Sequence, residues 1–183
     1  MLCALAFICV LVFRFEVGGF LTFDVKDAIL TITALIYGPV WGAVCSFVVT
    51  FLELIMISDT GIYGFIMNFL SSMTFSVVAG LVYKYRRSMS GAIVGVVIAV
   101  LSTTAVMLLA NLFITPLFMG VSRAEVVKML STLLLPFNII KAVFNGSLVL
   151  ILYKPITQVL RKTKLLMVKN NHKYKFNFSS VLL

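Results

Sequence analysis

The chain has 183 residues, of which 62% are hydrophobic and only 11% charged, and its formal net charge is +9. Soluble domains run at roughly half apolar and about a quarter charged, so a soluble globular fold is excluded and lipid is the solvent for most of this chain. The basic excess is no nucleic-acid surface: ten of the fifteen Lys and Arg fall in two places, Lys84 to Arg87 and Lys154 to Lys175, a clustering that reads as membrane topology.

In chain order the breaks in hydrophobicity place helices at about residues 2–14, 27–37, 40–57, 63–84, 91–116 and 124–153. The first is apolar enough for a signal-peptide core, but it lacks a basic leader and a small-residue cleavage site, so it reads as a membrane helix. It is short for a full crossing, so either Arg14 and Phe15 extend it or the chain as given starts late. The second is also short and stops at Tyr37-Gly38-Pro39, where Pro cannot continue the preceding ladder and Gly permits a tight turn. The fifth contains Ala92 to Leu117, a run without a charge that is long enough to cross a bilayer. The sixth carries Pro136, where a kink is expected. The predicted fold class is an all-α integral membrane protein, a bundle of about six transmembrane helices over residues 1–156, followed by a basic cytoplasmic tail at 157–183.

Six crossings put both termini on one side. With the termini in the cytoplasm, ten Lys and Arg fall inside, against Arg14, Lys26, Arg123 and Lys128 outside. The tail reads as mobile or lying on the membrane surface, with a specific lipid-binding device as the alternative. Cys3, Cys9 and Cys45 show neither a disulfide framework nor metal spacing and read as packing residues.

Polar residues inside apolar helices are the strongest functional lead, because each must face a partner, a cavity or a ligand. They are Glu53, Asn68, Asn111, Asn138, Lys141 and Asn145. Asn138, Lys141 and Asn145 are three and four apart and share a helical face. Interhelical hydrogen bonding, with a Lys141 to Glu53 ion pair, would explain them structurally. A ligand site would explain them as well, since amides pair with a ring edge carrying carbonyls and N–H groups, and Lys and Glu suit hydroxyls. Phe65, Phe69, Phe113, Phe118 and Phe137 would offer flat apolar surface to a planar heterocycle. Gly18-Gly19-Phe20, Asp59-Thr60-Gly61 and Met119-Gly120 are candidate gates or plain connectors. No enzyme signature is present. The single histidine, His172, lies in the tail, Asp24 and Asp27 suit the start of a helix, and no phosphate-binding GxxxxGK[ST] loop occurs. No catalytic residues, metal ligands or cofactor are expected.

Asp24 to Ala28 leading into Ile36-Tyr37-Gly38-Pro39-Val40-Trp41-Gly42, then Met67-Asn68-Phe69 and Leu135-Pro136-Phe137-Asn138-Ile139-Ile140-Lys141, with Asn145 a turn later, resemble the S components of energy-coupling factor (ECF) vitamin transporters, in particular their riboflavin-specific branch. The likeness covers about residues 2–156, and its most specific stretch is the Leu135 to Lys141 run. It implies a cell-membrane subunit that captures riboflavin from outside and works with an ECF transmembrane coupling subunit and two cytoplasmic ATPases. It implies Asn138 and Lys141 as ligand contacts, with Asn111, Asn68 and Glu53 as further contacts by position. Helix 1 departs from the pattern, because Ala4, Ala6 and Cys9 give no pair of small residues spaced four apart for docking. Two other readings stay open: an S component for a different vitamin or a nucleobase-like metabolite, and a non-transport membrane scaffold whose polar groups only join helices.

Overall fold

The computed structural model describes residues 1–162 apart from Gly18 and Phe20, with side chains described to Ile156. The tail expected at 157–183 therefore lies largely outside the described residues, as do Gly18 and Phe20 of the first candidate gate. The described chain runs α1 (Leu2–Val12), β1 (Phe15–Val17), β2 (Leu21–Phe23), α2 (Lys26–Tyr37), α3 (Pro39–Met56), α4 (Gly61–Tyr85), α5 (Met89–Met119), α6 (Arg123–Met129), a π-helical turn (Leu130–Leu134) and α7 (Leu135–Lys162). α6, the π turn and α7 form one continuous rod, so the described residues make six helical rods. Four of these are long and apolar enough to cross a membrane, α3, α4, α5 and the last rod.

Of the two short rods, α2 is explained by what surrounds it. α2 has twelve residues and would span about 18 Å at 1.5 Å per residue, well short of a hydrocarbon core. Lys26 to Leu35 are all buried, so α2 is enclosed by protein rather than by lipid. It ends at Gly38, whose φ of 105° only glycine adopts readily, and Pro39 then opens α3 at its first turn. α3 and α4 close on α2 through small residues: a Cβ on Gly42 would lie 2.6 Å from the Ala34 Cβ, and one on Gly80 would lie 3.0 Å from the same atom. Close approach of this kind lets dispersion and backbone contacts hold helices together where lipid removes the hydrophobic drive.

One feature of the backbone differs from the reading of the sequence. Phe15–Val17 and Leu21–Phe23 pair as a small antiparallel hairpin, Phe15 with Phe23, Glu16 with Thr22 and Val17 with Leu21. Strands of three residues are too short to show a period of two, which is why the segment reads only as a loop. The irregularity expected at Pro136 lies just before it, where the Leu135 N–H donates to Leu130 O, five residues back. Pro136 has no N–H to give to the carbonyl four residues earlier, and the wider π turn fits the chain around that missing donor.

The interior is divided. Ala28, Ile32, Leu35, Phe75, Ala79, Val96, Ala99, Ala142 and Val149 form an apolar cluster joining α2, α4, α5 and α7. The other part of the bundle, around the start of α2 and under the hairpin, is polar and holds the cavities described next. There Leu21 of β2 packs with Val126 and Leu134, which ties the hairpin to the last rod.

Candidate functional site

The start of α2 brings charge into the interior. Asp24, Lys26 and Asp27 are 1%, 1% and 3% exposed, and each connects to another helix. Asp24 Oδ2 lies 2.9 Å from Lys141 Nζ of α7 and 3.0 Å from Lys26 Nζ. Lys26 Nζ also lies 3.0 Å from Glu53 Oε1 and 3.1 Å from Glu53 Oε2 on α3. Asn68 Nδ2 of α4 donates to Glu53 Oε2 at 3.3 Å. The result is a continuous chain, Lys141, Asp24, Lys26, Glu53, Asn68, crossing four elements of the bundle. Asp27 stands beside it, its carboxylate accepting from Ser72 Oγ of α4. Such a chain is tolerable in a low-dielectric interior because each charge meets its opposite at hydrogen-bond distance.

Asn145 anchors this arrangement. Its Oδ1 accepts the Ala28 N–H at 3.0 Å, and its Nδ2 donates to Asp24 O at 2.9 Å and to Lys141 O at 3.1 Å. It is fully buried and its polar atoms are satisfied by protein, so of the three residues on that face of α7 it is the structural one.

Two cavities adjoin the chain of charges. The larger has about 640 Å3 of empty space counted out to its open mouth. Asn68, Asn111, Asn138 and Lys141 all line it, from three long rods. Its apolar walls include Tyr63, Phe118, Phe137, Met67 and Met107, and its hydroxyls come from Thr22, Thr60, Ser71 and Thr115. The smaller, about 350 Å3 on the same basis, is lined by Asp24, Glu53, Arg14, Ser58 and Thr50 among others, and shares Thr22, Thr60 and Asn68 with the larger. The two are neighbours across these shared residues, one an aromatic, amide-bearing lobe and the other a carboxylate-bearing lobe.

The amides are held in place by their own helices. Asn138 Nδ2 donates to Leu134 O at 2.7 Å, the last carbonyl of the π turn. Asn111 Nδ2 donates to Met107 O at 2.7 Å, and Asn111 Oδ1 accepts from Thr115 Oγ1 at 2.9 Å. Lys141 Nζ donates to Thr22 O of the hairpin at 2.9 Å as well as to Asp24. A side chain already locked by a second contact keeps its rotamer when a ligand arrives, which is the preorganisation a tight site needs.

Some expectations are corrected by this geometry. Glu53 does not pair with Lys141; its partner is Lys26, and Lys141 pairs with Asp24. Glu53 lines the smaller lobe, not the one that collects the other four predicted residues. Of the five expected aromatics, Phe118 and Phe137 line the large lobe and Phe65 the small one. Phe113 is 56% exposed and lies under the Arg123 guanidinium, 5.6 Å from its ring centre. Phe69 packs with Phe65 and Phe47. Tyr63 and Lys26 are not candidate site residues by sequence, and Asp24 reads there only as suiting the start of a helix. Asp59 of the second candidate gate pairs with Arg14 at 3.0 Å, and Arg14 also donates to Ile57 O, so the end of α1 is tied to the α3–α4 connection. Among the described residues no group of three or more His, Cys, Asp and Glu side chains forms a metal site.

Comparison with known proteins places this architecture. The family model described as ECF transporter, substrate-specific component, matches residues 1–153. A relative named Riboflavin transporter RibU, from Staphylococcus aureus (strain TCH60), is 28% identical over 171 residues, covering 88% of this chain and 89% of its own. A solved structure, described as "Structure and mechanism of the S component of a bacterial ECF transporter", superposes with a TM-score of 0.77 at 29% identity. It covers 88% of this chain and 94% of the solved one. With a family match over most of its length and the bundle to go with it, the chain belongs to the substrate-specific components of ECF transporters, a multi-pass membrane subunit of a transport system and not an enzyme.

Proposed function

We propose that this S component binds riboflavin from the outer side of the cell membrane, for ATP-driven uptake by a separate coupling module. The observation that carries this reading is the convergence of Asn68, Asn111, Asn138 and Lys141 on one aromatic-walled cavity. The similarity to a relative named for riboflavin transport supports it. In this reading the ring lies in the large lobe against Phe118 and Phe137, with Asn amides pairing with its carbonyl and N–H edge. The hydroxylated tail points toward Lys141 and the smaller lobe with Glu53. The module consists of an ECF transmembrane coupling subunit and two cytoplasmic ATPases, in keeping with the lack of a phosphate-binding loop here. Both termini and the basic tail face the cytoplasm, as the excess of Lys and Arg at that side supports.

The test is titration of riboflavin into the purified, detergent-solubilised chain, followed by flavin fluorescence. Stacking on aromatic rings quenches the flavin, so saturable quenching with about one site is expected. It should weaken in Asn138→Ala. A folded, flavin-free protein that quenches nothing overturns the riboflavin assignment and leaves the family standing.

A further inference from the structure

Lys26 is buried, charged and out of reach of any ligand. Its side chain is 1% exposed and it lines neither cavity. It is also the first residue of α2, where the helix dipole disfavours a cation. Neither helix propensity nor solvation accounts for a lysine there. What accounts for it is the pair of carboxylates it holds, Asp24 and Glu53, and both of these line the smaller lobe.

We propose that Lys26 is a positioning residue, acting through Asp24 and Glu53 to keep both as ionised hydrogen-bond acceptors at the ligand site. The role deepens the riboflavin reading and rests on it. The charged groups around Lys26 are arranged in a specific way. Asp24 precedes it in the chain, Glu53 faces it from α3, and Lys141 reaches Asp24 from α7. Asp27, on its own helix, is turned to Ser72 of α4. Arg14, at the rim of the smaller lobe, is engaged by Asp59 and Ile57 O. Lys26 and Lys141 therefore face three enclosed carboxylates, Asp24, Glu53 and Asp27, the last of which is hydrogen-bonded to Ser72. Without Lys26, three enclosed carboxylates are left with one ammonium, and the cluster takes up a proton from solvent, which converts an acceptor into a donor. Ligand hydroxyls that donate to those carboxylates then lose their partner.

The experiment is riboflavin affinity as a function of pH, between about 5.5 and 8, a window above the ordinary range of carboxylates and below that of lysine. The wild type is expected to be flat. Lys26→Met is expected to bind about 10-fold more weakly and to weaken further as the pH falls, as loss of a charged hydrogen-bond partner implies. Lys26→Met combined with Glu53→Gln returns the cluster to the net charge of the wild type and is expected to be flat again at reduced affinity. A single variant as flat as the wild type overturns the proposal, as does a wild type that titrates within the window. Thermal unfolding without ligand gives a separate readout. The single variant binds more protons folded than unfolded, so its Tm should rise as the pH falls, while that of the wild type should not. If the wild type bound no riboflavin, the functional reading would fail and these melting profiles would still decide the role of Lys26; equal profiles for variant and wild type would end it. Should Lys26→Met not fold, the double variant carries the test, and a steep pH dependence in it overturns the proposal.

Discussion

Asn145 of α7 caps α2: its Oδ1 accepts the Ala28 N–H at 3.0 Å, across 117 residues of sequence. No side chain within α2's own cap region does this, since Val25 at the N-cap has no oxygen to offer. Asn145→Leu keeps the branched shape and heavy-atom count of the side chain and removes three hydrogen bonds to buried backbone. It should destabilise the protein by about 1–3 kcal/mol, read as a lower Tm in detergent, and should do so without bound flavin.

Asn138→Ala should behave in the opposite way. Its amide bonds only to the Leu134 carbonyl of its own helix, so the fold loses little while the ligand loses a polar partner. Riboflavin affinity is expected to fall by roughly 10-fold, one good hydrogen bond, with Tm nearly unchanged in the absence of ligand. Equal losses of stability and affinity would count against a direct contact.

Gly42 tests the tight join of α2 and α3. A Cβ there would sit 2.6 Å from the Ala34 Cβ and 3.3 Å from Ser76 Oγ. Gly42→Val should cost about 1–3 kcal/mol by overpacking, and pairing it with Ala34→Gly should recover part of the loss. Thermal unfolding of the two variants and their combination measures this directly.

The Arg14 to Asp59 contact joins the end of α1 to the α3–α4 connection above the smaller lobe. Asp59 is largely exposed, and exposed ion pairs contribute at most about 1 kcal/mol. Asp59→Asn should therefore leave Tm almost unaltered. Because the contact spans the rim of the site, the same change should speed riboflavin release a few-fold in a stopped-flow chase. The effect should shrink at high salt, where the wild-type pair is itself screened.

Much of the site was legible because an amide or ammonium inside an apolar run has few reasons to be there. Asn68, Asn111, Asn138 and Lys141 stand out by that test alone and meet in one cavity. Lys26 and Asp24 fail the same test. They follow a glycine-containing stretch that reads as an outer loop, where charges are ordinary, and their burial depends on partners as distant as Lys141. Glu53 was visible but its partner was not, since pairing Glu53 with Lys141 assumes a geometry that only the position of α2 can decide. The aromatics were harder still. In helices that are apolar all round, periodicity does not distinguish a lipid-facing ring such as Phe113 from a cavity wall such as Phe137. The membrane bundle itself was plain, because long uncharged runs leave few alternatives, whereas the hairpin of Phe15–Val17 and Leu21–Phe23 was hidden by strands of only three residues.

The enclosure of α2 also bears on how the chain is assembled. At twelve residues, with Asp24, Lys26 and Asp27 at its head, α2 is a poor substrate for insertion on its own, since each charge would meet hydrocarbon without a partner. Glu53, Ser72, Lys141 and Asn145, which satisfy those groups, are synthesised later. The charged head of α2 therefore has its full set of partners only once the last rod, which carries Lys141 and Asn145, has been made.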